Sequence, residues 1–147
     1  MATSDYDCTY CGMRATCLDH VVPRSYNSAT ERDASDRTKR DCVPACTECN
    51  LLLSNSMYIT VSGRALYLAG RLEDKHKKVL SSPNWTEEEY EDLSGSLLKH
   101  VKSLQTKKKL IRARIEYARS VSEMKELTVE GVWNSQQSNA KGSNSEV

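Results

Sequence analysis

The chain has 147 residues, 38% of them hydrophobic, no phenylalanine and a net charge of +1. That leaves room for one ordinary domain, or for a small module with helical extensions, and a module so poor in core residues gains from a metal staple. No apolar run reaches the ~18 residues of a membrane span, and Met1–Asp5 lacks the basic and apolar regions of a signal peptide. A cytoplasmic setting follows, where paired cysteines are more often metal ligands than disulfides.

All six cysteines fall within residues 5–55. This part reads as a Cys8-x-x-Cys11 knuckle, a strand near Cys17–Val22, a long loop over 24–40 and a strand near Cys42–Ala45. A short helix then opens near Thr47, and Pro23 and Pro44 punctuate the strands. Met57-Tyr58-Ile59-Thr60-Val61 alternates at period two and predicts a short strand or an extended link. Residues 64–81 are helical, with Ala65, Leu68, Ala69, Leu72, Val79 and Leu80 on one stripe. Ser82-Pro83-Asn84 ends that helix.

Thr86-x-x-Glu89 is a capping box that opens the next helical region, 86–126. There Tyr90, Leu97, Leu104, Ile111 and Ala118 recur every seven residues, flanked by Leu93, Val101, Ile115 and Val121. The stripe suits packing on helix 64–81 or on a second copy of itself, a homodimer. Gly95 and Gln105-Thr106 weaken it, so two helices fit as well as one. From Asn134 onward the chain has almost nothing to bury and is expected to be disordered. The organisation is thus a cysteine-rich module (5–62), a helical extension (63–133) and a tail (134–147).

Cys8, Cys11, Cys46 and Cys49 form two matched Cys-x-x-Cys pairs. Each pair sets two sulfurs on one turn of backbone, and two such turns complete a tetrahedral zinc site. The 34 residues between the pairs enclose Asp19-His20, and Asn50 directly follows the second pair. A histidine of ordinary pKa, about 6.5, can take a proton from water at neutral pH. Oxygen donors nearby would suit Mg²⁺ or Mn²⁺. Cys17 and Cys42 fall on the strands and read as buried free thiols.

Cys8-Thr9-Tyr10-Cys11-Gly12, Leu18-Asp19-His20-Val21-Val22-Pro23-Arg24-Ser25 and Val43-Pro44-Ala45-Cys46-Thr47-Glu48-Cys49-Asn50 together resemble the HNH endonucleases of the ββα-metal (His-Me finger) class, in the zinc-bearing form found in phages and mobile elements. The resemblance covers residues 8–50. It implies an α+β fold, a zinc-stapled finger of β-hairpin plus helix, followed here by the helical extension and the tail. It also implies DNA phosphodiester hydrolysis in a bacterial or phage-infected cell. By resemblance His20 is the general base, and Asp19 and Asn50 hold the catalytic Mg²⁺ or Mn²⁺. Asp41 stands where the family has an Asn that braces the loop and orients the base.

The sequence also departs from the family. The loop lacks its Gly-Gly, reading Ser25-Tyr26-Asn27-Ser28-Ala29-Thr30, and Leu51-Leu52-Leu53-Ser54 stand where a Lys often follows. A catalytically degenerate zinc module that binds DNA or a protein therefore stays open as the alternative.

Eight Lys or Arg and one Glu lie between Lys99 and Arg119, whereas Glu87–Asp92 carries five acids and no base. Lys99, Lys102, Lys107, Lys108, Lys109, Arg112 and Arg114 are candidates to track a DNA backbone. Arg24, Arg32, Arg37, Lys39 and Arg40 are further phosphate-contact candidates in or beside the long loop. Acids in the same loop nearly cancel them, so a solvated charged loop is the competing reading. His76 and His100 read as exposed histidines on helices.

Overall fold

A computed structural model of the chain describes residues 5–22 and 41–143, with side chains to residue 137. The fold class is the expected one, a two-stranded antiparallel hairpin followed by helices. Strand β1 (Cys17–His20) pairs with β2 (Cys42–Ala45) in the register Cys17↔Ala45, Leu18↔Pro44, Asp19↔Val43 and His20↔Cys42. Helix α1 (Thr47–Leu53) follows at once. Its N-cap is Cys46, whose sulfur accepts from the Cys49 N–H at 3.5 Å, so one side chain both caps the helix and faces the knuckle.

Helix α2 (Val61–Lys75) starts three residues earlier than the stripe predicted. Thr60 caps it by accepting from the Gly63 N–H at 3.1 Å. The alternation of 57–61 is therefore the approach to a cap rather than a strand. A one-turn helix α3 (Lys77–Leu80) continues it. The capping box at Thr86 and Glu89 is formed from both sides and opens only a short helix, α4 (Glu87–Glu91). The chain breaks there, and α5 (Gly95–Glu123) begins at a glycine with φ of 63°. The predicted 86–126 region is thus two helices, because Gly95 holds a left-handed conformation that costs other residues roughly 1 kcal/mol or more.

The seven-residue stripe is used within the chain. Val101, Ile111, Ile115, Ala118 and Val121 of α5 are buried, while Leu97 is 55% exposed. One buried cluster joins the knuckle residues Cys8, Tyr10 and Cys49 to Val43 of β2, to Leu68 and Leu72 of α2 and to Ile111 and Ala118 of α5. Val132 and Trp133 of α6 (Val129–Ser143) belong to it as well. Helix α6 carries the chain ten residues into the segment expected to lack structure. It is anchored by Trp133, whose Nε1–H donates to the Cys42 carbonyl at 2.9 Å. The Trp133 ring also meets Tyr6 edge-on, 5.2 Å between centroids. Among the described residues no helix is long and apolar enough to cross a membrane.

Candidate metal centre and active-site face

The four knuckle sulfurs lie within 4.8 Å of one another, and none of the cysteines is in a disulfide. A tetrahedral ZnS₄ group with bonds of ~2.3 Å has sulfur–sulfur edges of about 3.8 Å. Cys11 Sγ and Cys46 Sγ stand 3.7 Å apart, so the donor set and its size both suit zinc. Local backbone explains the convergence. Gly12, with φ of 80°, turns the first knuckle, and its N–H donates to the Cys8 carbonyl at 3.0 Å. Thr9 ties that knuckle to β2, its N–H and hydroxyl both donating to the Pro44 carbonyl, at 2.9 and 2.8 Å. The remaining thiols, Cys17 and Cys42, are in no disulfide either; Cys42 is buried and Cys17 partly so.

Strand alternation puts Cys17 and Asp19 on one face of the hairpin and Leu18 and His20 on the other. Asn50 lies on the first turn of α1, and the Cys17 thiol donates to the Ala45 carbonyl at 3.3 Å. His20 ends β1, opposite Cys42. Just beyond it the Asp41 carbonyl accepts from the N–H groups of Val21 (2.7 Å) and Val22 (3.4 Å). Asp41, itself buried, thus braces the open end of the hairpin through its backbone.

Asp19 is more tightly held than the sequence suggested. It is 2% exposed, and Arg64 of α2, 4% exposed, grips it with both arms of its fork. Arg64 Nη2 lies 2.6 Å from Oδ1 and Nε 2.9 Å from Oδ2. The Tyr10 hydroxyl donates to Oδ2 at 2.6 Å. Burial, and then the Asp19 charge, push the Tyr10 phenol well above its usual range, so it stays a donor. A carboxylate has about four lone-pair positions, and three of them are filled by these contacts.

The basic residues divide. Lys108 is 4% exposed and donates to the Ser82 carbonyl and to Asn84 Oδ1, the latter at 2.9 Å. Arg114 is buried against the second knuckle, and Arg119 pairs with Glu73. The nucleic-acid candidates left exposed on α5 are Lys99, Lys102, Lys107, Lys109 and Arg112. At about 100° per residue Lys102, Lys109 and Arg112 fall within about 80° of one another, Lys99 flanks them beside Lys102, and Lys107 is set further round. Arg24, Arg32, Arg37, Lys39 and Arg40 lie outside the described residues. His76 is not an exposed surface histidine: Nε2 sits 3.2 Å from Glu48 Oε2, and its side chain is 13% exposed.

Tyr10, Arg64, Glu48 and Arg114 were not assigned to the site from sequence. Arg64 carried a usable signal, since it falls in the apolar register Val61, Arg64, Ala65, Leu68 of α2. No family model matches the chain, and no curated protein and no solved structure matches it either.

Proposed function

We propose that the chain is a zinc-stapled endonuclease of the HNH kind, hydrolysing DNA phosphodiester bonds with His20 as general base. The observation that carries this is the β1–β2–α1 unit. The four-cysteine cluster joins its knuckles, Asp19 and His20 are the last two residues of β1, next to the braced end of the hairpin, and Asn50 lies on the first turn of α1. Asp19 and Asn50 would hold a Mg²⁺ or Mn²⁺ ion, which when bound supplies polarisation of the scissile phosphate. Arg64 and Tyr10 fix the Asp19 rotamer, so no side-chain entropy remains to be lost there. His20 takes the proton from the attacking water. Lys102, Lys109 and Arg112 offer phosphate contacts without base readout.

The test is nicking of supercoiled plasmid by the zinc-loaded protein with Mg²⁺ or Mn²⁺, beside His20→Ala and Asn50→Ala. Loss of nicking in both variants, with fold and zinc retained, supports the reading. Nicking that persists undiminished in His20→Ala refutes the mechanism.

One observation favours a second reading. A carboxylate neutralised by Arg64 and buried beneath Tyr10 is a complete structural unit in its own right. On that reading the chain is a non-catalytic zinc module that binds DNA or a protein. Retarded migration of DNA by a protein that never nicks it, with zinc bound, would establish the DNA-binding form of that module.

A further inference from the structure

The long helix and the second knuckle meet at one side chain. Arg114, 9% exposed, points its Nη2 at Cys49 Sγ (3.8 Å) and Cys46 Sγ (4.0 Å). Its Nη1 sits 2.6 Å from Glu48 Oε1. The other oxygen of Glu48 is taken by Lys75 Nζ at 2.7 Å and His76 Nε2 at 3.2 Å. One turn along α5, Tyr117 closes on the first knuckle so tightly that a Cβ at Gly12 would lie 3.1 Å from its ring. Helix α5 is thus the outer wall of the sulfur cluster, although 65 residues of chain separate Arg114 from Cys49.

Four thiolates on a dication leave a net charge of about −2, and a buried charge of that size needs a partner. We propose that Arg114 is an outer partner of the zinc centre: it donates N–H groups to the Cys46 and Cys49 sulfurs, lowers their basicity and so slows loss of the metal. The reciprocal consequence concerns α5. With zinc gone nothing holds the four sulfurs together, so the Arg114 contacts to Cys46 and Cys49 are no longer fixed and the middle of α5 loosens from the knuckle. The metal therefore secures the helical extension as well as the finger. This holds whichever of the two functional readings is right.

The experiment follows zinc transfer from the full chain to a chromogenic chelator, with Arg114→Met, Arg114→Lys and Glu48→Gln. Groups that hydrogen-bond metal ligands are worth about 10–100-fold in affinity. Arg114→Met should therefore release zinc at least about tenfold faster than the parent. Arg114→Lys, which keeps the charge but loses the fork, should fall between them, and Glu48→Gln should change the rate less than Arg114→Met. The Co²⁺-substituted protein gives a second readout, because its sulfur-to-cobalt charge-transfer band should shift in Arg114→Met. A parent-like release rate and an unshifted band in folded Arg114→Met overturn the proposal. So does a Glu48→Gln variant that matches Arg114→Met in rate while the cobalt band of Arg114→Met stays put, since Arg114 would then act only by anchoring α1. Should Arg114→Met fail to fold, Arg114→Lys decides by the same criteria: faster release with a shifted band upholds the proposal, and parent behaviour overturns it.

Discussion

Replacing Asp19 by asparagine keeps the shape of the side chain and removes its charge, which isolates what the Arg64 pair contributes. The two side chains are 3% and 5% exposed, so solvent screens the pair very little. In Asp19→Asn the guanidinium stays buried without its counterion, a situation that costs about 3–5 kcal/mol. For a chain of this length each kcal/mol lowers Tm by roughly 2–4 °C, so a fall of about 6–20 °C is expected. Tyr10→Phe removes one hydrogen bond to a carboxylate that keeps Arg64, and about 1.5 kcal/mol is the corresponding loss. Urea unfolding at saturating zinc measures both. Because the Tyr10 phenol is pushed up in the fold, its stabilisation is complete below the unfolded pKa of about 10 and is lost as pH rises beyond it. That part of the alkaline decline should be missing in Tyr10→Phe. An Asp19→Asn protein within 1 kcal/mol of the parent at equal zinc occupancy would refute the reasoning, since Arg64 would then be free to swing into water. Nicking assays of Asp19→Asn accordingly belong below its own Tm.

Chelation of zinc should abolish the tertiary fold of the hairpin and knuckles, because the binding energy of a structural zinc is folding energy. Circular dichroism and limited proteolysis should report the loss, with recovery on adding zinc back. Gly12→Ala combines a positive φ with the close Tyr117 ring, and should cost about 1–3 kcal/mol in urea unfolding. Trp133→Phe removes the donor to the Cys42 carbonyl. It should cost about 1–3 kcal/mol and raise hydrogen exchange across α6, whereas unchanged exchange there would mean that α6 is held by other contacts. If DNA is bound through Lys102, Lys109 and Arg112, log K should fall with log salt at a slope near −3, about −0.9 per contact. A slope near −6 would require cations well beyond that side of α5.

The elements that local chemistry determines were legible in the sequence. The second strand, the helix opening at the second cysteine pair and the capping box at Thr86 all stand where their residues placed them. One miss was local, the start of α2, and the others came from contacts distant in sequence. Thr60 caps α2, and that cap made a helix start look like a strand. The tail gained a helix because Trp133 reaches the Cys42 carbonyl 91 residues away, a partner no local window includes. Lys108 and Arg114 looked like parts of a basic face because they stand among lysines. Both occupy the apolar register of α5, Lys108 three residues before Ile111 and Arg114 three after it. Sorting a helix by residue class hides this, since a cation in a core position looks like a surface one until its counter-group is known.

Three such cations tie this small core together. Arg64 joins α2 to β1 through Asp19, Lys108 joins α5 to the turn after α3, and Arg114 joins α5 to the sulfur cluster. Each bridges elements far apart in sequence, at places where a chain without phenylalanine has few large apolar groups to interlock. Long cationic side chains also cover apolar surface with their stems. Directional contacts fix geometry more sharply than apolar packing, but they make the fold depend on the state of each acceptor. Removing the Asp19 carboxylate would strand Arg64, and displacing the sulfurs would take acceptors from Arg114. The candidate active-site face and the metal cluster are therefore held by the same arrangement, through α2 on one side and α5 on the other. A substitution on either helix can act on the site without touching it.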